Sequence, residues 1–77
     1  MTKKMLDCEI GKRIGELRKS FGMTRGKLAE RLGISISHMG FIERGERGLT
    51  VWNCVLLSET LCVSVEYILK GIDELPN

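Results

Sequence analysis

Three cysteines and one histidine give little material for a metal site or a disulfide framework, and their placing argues against both. Cys8, Cys54 and Cys62 are odd in number and form no C-x-x-C pair. Cys54 and Cys62 therefore read as small core hydrophobes in a reducing compartment, and Cys8 as an exposed thiol. The lone His38 has no carboxylate or cysteine at ligand spacing and no serine–acid partner, so no enzyme reading survives and no cofactor or small-molecule ligand is expected. No apolar run approaches the roughly 18 residues of a membrane span. Behind the charged MTKK, the stretch MLDCEIGKR lacks an apolar leader region, so the chain is expected in the cytoplasm and off the membrane. There are no repeats and no linker. The 77 residues allow one domain, 1–77, with a core over about 7–71 and flexible ends at 1–6 and 72–77. A core this small is marginal by itself, so a homodimer is expected.

What is present is concentrated in residues 25–44, RGKLAERLGISISHMGFIER. Leu28, Leu32, Ile34, Met39 and Ile42 make a helical stripe, a break, and a second helical stripe. Gly33 falls where the first helix must stop, since glycine takes a positive φ at no steric cost. Ser35 then caps the second helix, accepting from the amide of Ser37 or His38, with Ile34 placed to staple onto Met39. Thr24 caps the first helix in the same way, Met23 staples onto Leu28, and small Ala29 leaves room for a close crossing. Together these predict a helix-turn-helix, the motif whose second helix lies in the DNA major groove.

On those residues the chain resembles a known family. RGKLAERLGIS followed by IERGERGLT is similar to the phage-repressor or xenobiotic-response-element type of helix-turn-helix domain, whose motif reads roughly Q-x-x-L-A-x-x-x-G-I/V-S, then I/L-x-x-I/W-E-x-G. The resemblance covers about residues 10–71. It implies an all-α, five-helix, repressor-type fold and a sequence-specific regulator that binds double-stranded DNA. Short restriction-modification controller proteins resemble this chain further, in length and in the reading ER-x-x-R-x-L-S/T.

Around the motif the spacing predicts three more helices. Asp7 reads as the cap of the first, along which Ile10, Ile14, Leu17 and Phe21 recur, with Arg18 and Lys19 near its end and Gly22 as its stop. Gly11 and Gly15 inside it each cost about 1 kcal/mol against alanine. Close packing, and the family pattern, account for Gly11; nothing in the sequence accounts for Gly15. Thr50 caps the fourth helix, whose core stripe is expected to be Val51, Cys54, Leu57, Ser58 and Leu61, while Trp52, Val55, Leu56 and Glu59 point elsewhere. The last helix follows Ser64, carries Val65, Ile68 and Leu69, and ends at Lys70 and Gly71.

Net charge is only +2 but is split: residues 1–47 hold eleven Lys/Arg against six Asp/Glu, and 48–77 hold one against four. The polyanion-facing half is therefore the first. Candidate phosphate contacts are Arg25, Arg44 and Arg47, with Arg13 and Lys27 as lesser ones. The resemblance places a glutamine at position 25, touching phosphate and bracing the recognition helix, and it pairs Glu43 with Arg18 beneath that helix. Helical spacing turns Ser35, Ile36, Ser37, Gly40 and Phe41 to the groove, with His38 at the edge. The family commonly reads purines with Gln, Arg, Lys or Asn at 36, 37 and 41, and none is present. Readout is expected to be apolar, with Ile36 and Phe41 on thymine methyls and Ser37 bonding to several bases, or else Phe41 folds back onto the protein. Trp52, Val55, Leu56 and Tyr67 make the expected dimer interface. The alternative is a protein-interaction module of the same fold, antitoxin-like or an anti-repressor, binding through Trp52, Leu56 and Phe41.

Overall fold

Thr2, Thr24, Ser35, Thr50 and Ser64 each sit in extended backbone and accept, through the side-chain hydroxyl, the amide three residues on. These bonds are 2.9–3.1 Å long, and each satisfies a donor that a helix start leaves free. The computed structural model describes residues 1–72, and among these residues there are five helices and no strand. They are α1 (Lys3–Ser20), α2 (Arg25–Leu32), α3 (Ile36–Glu43), α4 (Val51–Leu61) and α5 (Val65–Lys70). Gly33 and Gly71 close α2 and α5 in the left-handed region, as the sequence predicts.

α1 begins earlier than expected. Thr2, not Asp7, is the cap, so most of the presumed frayed lead at 1–6 is helical. Asp7 instead sits one turn inside, where its carboxylate accepts from Lys3 Nζ at 2.7 Å. A hydroxyl cap and this i,i+4 pair support an exposed first turn that has no apolar periodicity of its own. At the other end Phe21 leaves the core stripe: it is the residue past the last turn, half exposed, and Gly22 at φ +66° turns the chain away from it. The loose tail expected at 72–77 lies, beyond Ile72, outside the described residues.

The core joins Ile10 and Ile14 of α1, Leu28, Ala29 and Leu32 of α2, Met39 and Ile42 of α3, Leu57 and Leu61 of α4 and Ile68 of α5. α3 packs between α1 and α2, while α5 packs on α1 and α4. At its crossing with α3, α1 carries Gly11. A Cβ there would lie 2.7 Å from the Glu43 carbonyl oxygen, so only glycine fits. At Gly15 a Cβ would meet the Glu43 carboxylate at an ordinary 3.5 Å, so contact does not require that glycine.

The inward face of α4 differs from the expected one. Asn53, Leu57 and Leu61 are buried, Cys54 and Ser58 are half-buried, and Val51 is 83% exposed. At 3.6 residues per turn Val51 lies about 120° from the Leu57 line, on the same side as Trp52 and Val55. Leu56, expected to point outward, packs partly against the core. Cys62 is no core residue either: it is the exposed left-handed C-cap of α4, at φ +56°. Cys54 alone of the three is partly sheltered, and burial pushes its thiol pKa up. Ser58 does not waste its hydroxyl near the core, since it donates to the Val63 carbonyl at 2.7 Å.

Candidate nucleic-acid interface

α3 presents its outer face to solvent and is held from below by a carboxylate. Glu43 accepts from Arg18 Nε at 2.7 Å and Nη2 at 3.2 Å, and from Arg25 Nε at 3.2 Å. Arg18 also donates to the Met23 carbonyl at 2.9 Å, so one side chain ties α1, the start of the α2 segment and α3 together. The Arg18 and Glu43 side chains retain only 9% and 6% of their exposure, whereas Arg25 retains 42%. Arg25 thus braces the helix with Nε and still reaches solvent, as a bracing phosphate contact requires.

Of the residues expected to face the groove, Ser35, Ile36 and Ser37 are exposed, with Ile36 61% exposed, and His38 is half-buried at the edge. The Ser35 oxygen accepts from His38 N, which leaves its hydrogen available to an acceptor outside. Gly40 departs from expectation. It is buried, and a Cβ on it would lie 3.0 Å from Arg44 Nη1 and 3.8 Å from Arg25 Nη1. The two guanidinium groups close over it, so it offers no surface of its own.

Phe41 is half-buried, and the guanidinium carbons of Arg44 and Arg47 lie 5.3 and 5.1 Å from its ring centroid. Its carbonyl oxygen accepts from Glu46 N at 2.8 Å and Arg47 N at 3.3 Å. The loop after α3 is thereby folded back so that Arg47 returns over the ring. Arg44 Nε also donates to Glu46 Oε2 at 3.1 Å in an exposed pair. Glu46 and the two ring contacts were not read from the sequence, although the i,i+3 spacing of Phe41 and Arg44 signals one of them.

Two lesser candidates are already engaged. Arg13 is drawn away from the interface: its Nη1 donates to the Ile68 carbonyl at 2.5 Å, tying α1 to the end of α5. It serves the fold there, because a late carbonyl of a helix lacks an intrahelical donor. Lys27 pairs with Glu30 at 3.3 Å in an exposed i,i+3 contact that does not hold it firmly. Cys8, exposed on α1, donates its thiol to the Arg44 carbonyl at 3.8 Å. Among the described residues no group of His, Cys, Asp and Glu is disposed to hold a metal ion, and no helix is long and apolar enough to cross a membrane.

A family model described as helix-turn-helix matches residues 14–68. The chain belongs to this helix-turn-helix family. Among solved structures, this helix-turn-helix chain is similar to the P22 c2 repressor protein in complex with a synthetic operator. The TM-score is 0.77 at 32% identity, over 82% of this chain and 96% of that one. It is similar also to the restriction-modification controller protein C.AhdI from Aeromonas hydrophila, with TM-score 0.74 at 29% identity, over 80% of this chain and 94% of that one. The SinR protein/SinI protein complex matches with TM-score 0.73 at 31% identity, over 84% of this chain and 68% of that one. An uncharacterised HTH-type transcriptional regulator of Rickettsia conorii is 30% identical over 69 residues, 90% of this chain and 55% of that protein. The chain therefore spans about half the length of the curated relatives it matches.

Proposed function

We propose that the protein is a cytoplasmic, sequence-specific regulator of transcription that binds double-stranded DNA as a homodimer on a palindromic operator. The observation that carries this reading is the seating of α3. Its outer face is open while Glu43 fixes it on Arg18 and Arg25, and Arg25, Arg44 and Arg47 present cations along one side and at its end. A helix so placed enters the major groove with phosphates at its flanks. The similarity to a repressor bound to an operator supports the same docking. Ile36 is the apolar contact for a thymine methyl, and Ser35 and Ser37 bond to base edges or phosphate, with His38 beside them. Pairing of two copies through the outer face of α4 sets two such helices on one side of the duplex, with half-sites about 34 Å apart.

Selection of bound duplexes from a random pool tests the reading. Enrichment of a palindrome is expected, as is a linear fall of log affinity with log salt concentration. Absence of any enriched sequence, with salt-independent binding, overturns it. That outcome favours the second reading, a protein-interaction module. Its support is the exposed Trp52 together with the lack of Gln, Arg, Lys or Asn at positions 36, 37 and 41. The similarity to a protein–protein complex points the same way.

A further inference from the structure

Positions 40 and 41 lie where a recognition helix of this kind would carry base-reading side chains, yet glycine and phenylalanine stand there. The structure uses both to hold arginines that come from farther along the chain. Arg44 is the C-cap of α3, three residues from Phe41, and Arg47 lies in the loop beyond it, which by sequence alone would trail away from the helix. Instead the Phe41 carbonyl draws the amides of Glu46 and Arg47 back, and both guanidinium groups come to rest over the Phe41 ring. Arg44 Nη1 lies in the space that a side chain on Gly40 would fill. Glu46 takes Arg44 Nε, and the Arg44 side chain stays half exposed.

Two guanidinium groups gathered at one ring repel each other, and two long side chains left free lose much rotamer entropy when they bind. An aromatic face attracts both cations and restricts them before any ligand arrives. We infer that Phe41 is a positioning residue whose ring, with Gly40 beside it, seats Arg44 and Arg47 as a preformed pair for backbone phosphates, so that it acts through the arginines and not on a base. This rests on the DNA-binding reading above. The ligand chemistry is the phosphodiester of duplex DNA, and the acceptors are its non-bridging oxygens, for which planar guanidinium donors are suited.

The two roles open to Phe41 leave different signatures. A thymine contact affects one base pair and releases no counterions, whereas each lost phosphate contact lowers the salt slope by about 0.9. The experiment measures affinity over a series of salt concentrations for the selected operator and for an unrelated duplex of equal length. The proteins are the full chain, Phe41→Leu and Phe41→Trp. Phe41→Leu keeps apolar bulk and removes the ring. It is expected to weaken both duplexes by a similar factor, about three- to tenfold, and to lower the slope by about 1 to 2 for each bound copy. Phe41→Trp, which keeps an aromatic face, is expected to restore both quantities. A loss confined to one operator position with the slope unchanged overturns the inference, as does full binding by Phe41→Leu. Gly40→Ala keeps the test decisive if Phe41→Leu does not fold. Its methyl crowds the movable end of Arg44 and meets Arg25 Nη1 at an ordinary 3.8 Å, so melting is not expected to drop while the slope falls by about 1 for each bound copy, and an unchanged slope overturns the seat. Failure of the DNA-binding reading is distinct from all of these, because it shows in the unsubstituted chain.

Discussion

Glu43 and Arg18 meet through two hydrogen bonds, 2.7 and 3.2 Å long, with both side chains almost wholly buried beneath the recognition helix. Paired, the two charges satisfy each other; with one removed, the other is left buried and uncompensated. Glu43→Ala is expected to destabilise the fold by about 3 to 5 kcal/mol, the range for breaking a buried ion pair from one side. Urea unfolding monitored by circular dichroism measures it. A loss below about 1 kcal/mol would mean that the pair is effectively solvated.

The two glycines of α1 are expected to respond in opposite directions. Gly11→Ala forces a methyl into the backbone of α3, at 2.7 Å from the Glu43 carbonyl oxygen, and is expected to cost about 1 to 3 kcal/mol or more. Gly15→Ala meets only ordinary contact with the Glu43 carboxylate and gains helix propensity, so it is expected to stabilise by up to about 1 kcal/mol. Thermal melts of the two variants read the sign of each.

Arg13 and Arg44 are both interface candidates by charge, and the structure separates them. Arg13→Ala removes the donor to the Ile68 carbonyl and is expected to cost about 1.5 to 3 kcal/mol of stability with the salt slope of DNA binding unchanged. Arg44→Ala, whose partner is an exposed Glu46, is expected to leave stability within about 0.5 kcal/mol while lowering the salt slope by about 1 for each bound copy. Parallel titrations and melts show whether the two effects segregate; a reduced slope for Arg13→Ala would place it at the DNA after all.

The outer face of α4 combines Val51, Trp52 and Val55, with Trp52 66% exposed. Because Leu56 packs partly on the core, a charge at that position would disturb the fold as well as any interface. Trp52→Glu with Val55→Glu is the cleaner variant, and it is expected to be monomeric with an unchanged helical spectrum. Sedimentation velocity decides: a double variant that remains dimeric places the two-fold contact elsewhere.

Much of this fold could be read along the chain because its punctuation is local. A hydroxyl that caps a helix accepts from an amide three residues on, and a glycine that ends one supplies its own positive φ. Thr24, Ser35, Thr50, Ser64, Gly33 and Gly71 were therefore legible without any knowledge of neighbours. Thr2 obeyed the same rule and was missed only because no apolar periodicity follows it. The charge division and the apolar stripes of α2 and α3 were legible for similar reasons. Which face of α4 turns inward was not, since two apolar stripes compete there and only the helices packed against it choose between them. The partners of Arg13, Phe41 and Glu43 were decided by tertiary structure. The Arg13 bond joins residues 55 apart in sequence, and an arginine side chain is long enough to serve a helix end, a carboxylate or an aromatic ring equally well. Sequence by itself determined where each cation stands along the chain; packing determined which of them are engaged within the fold and which stay exposed, because burial and hydrogen-bond geometry depend on residues brought together only by folding.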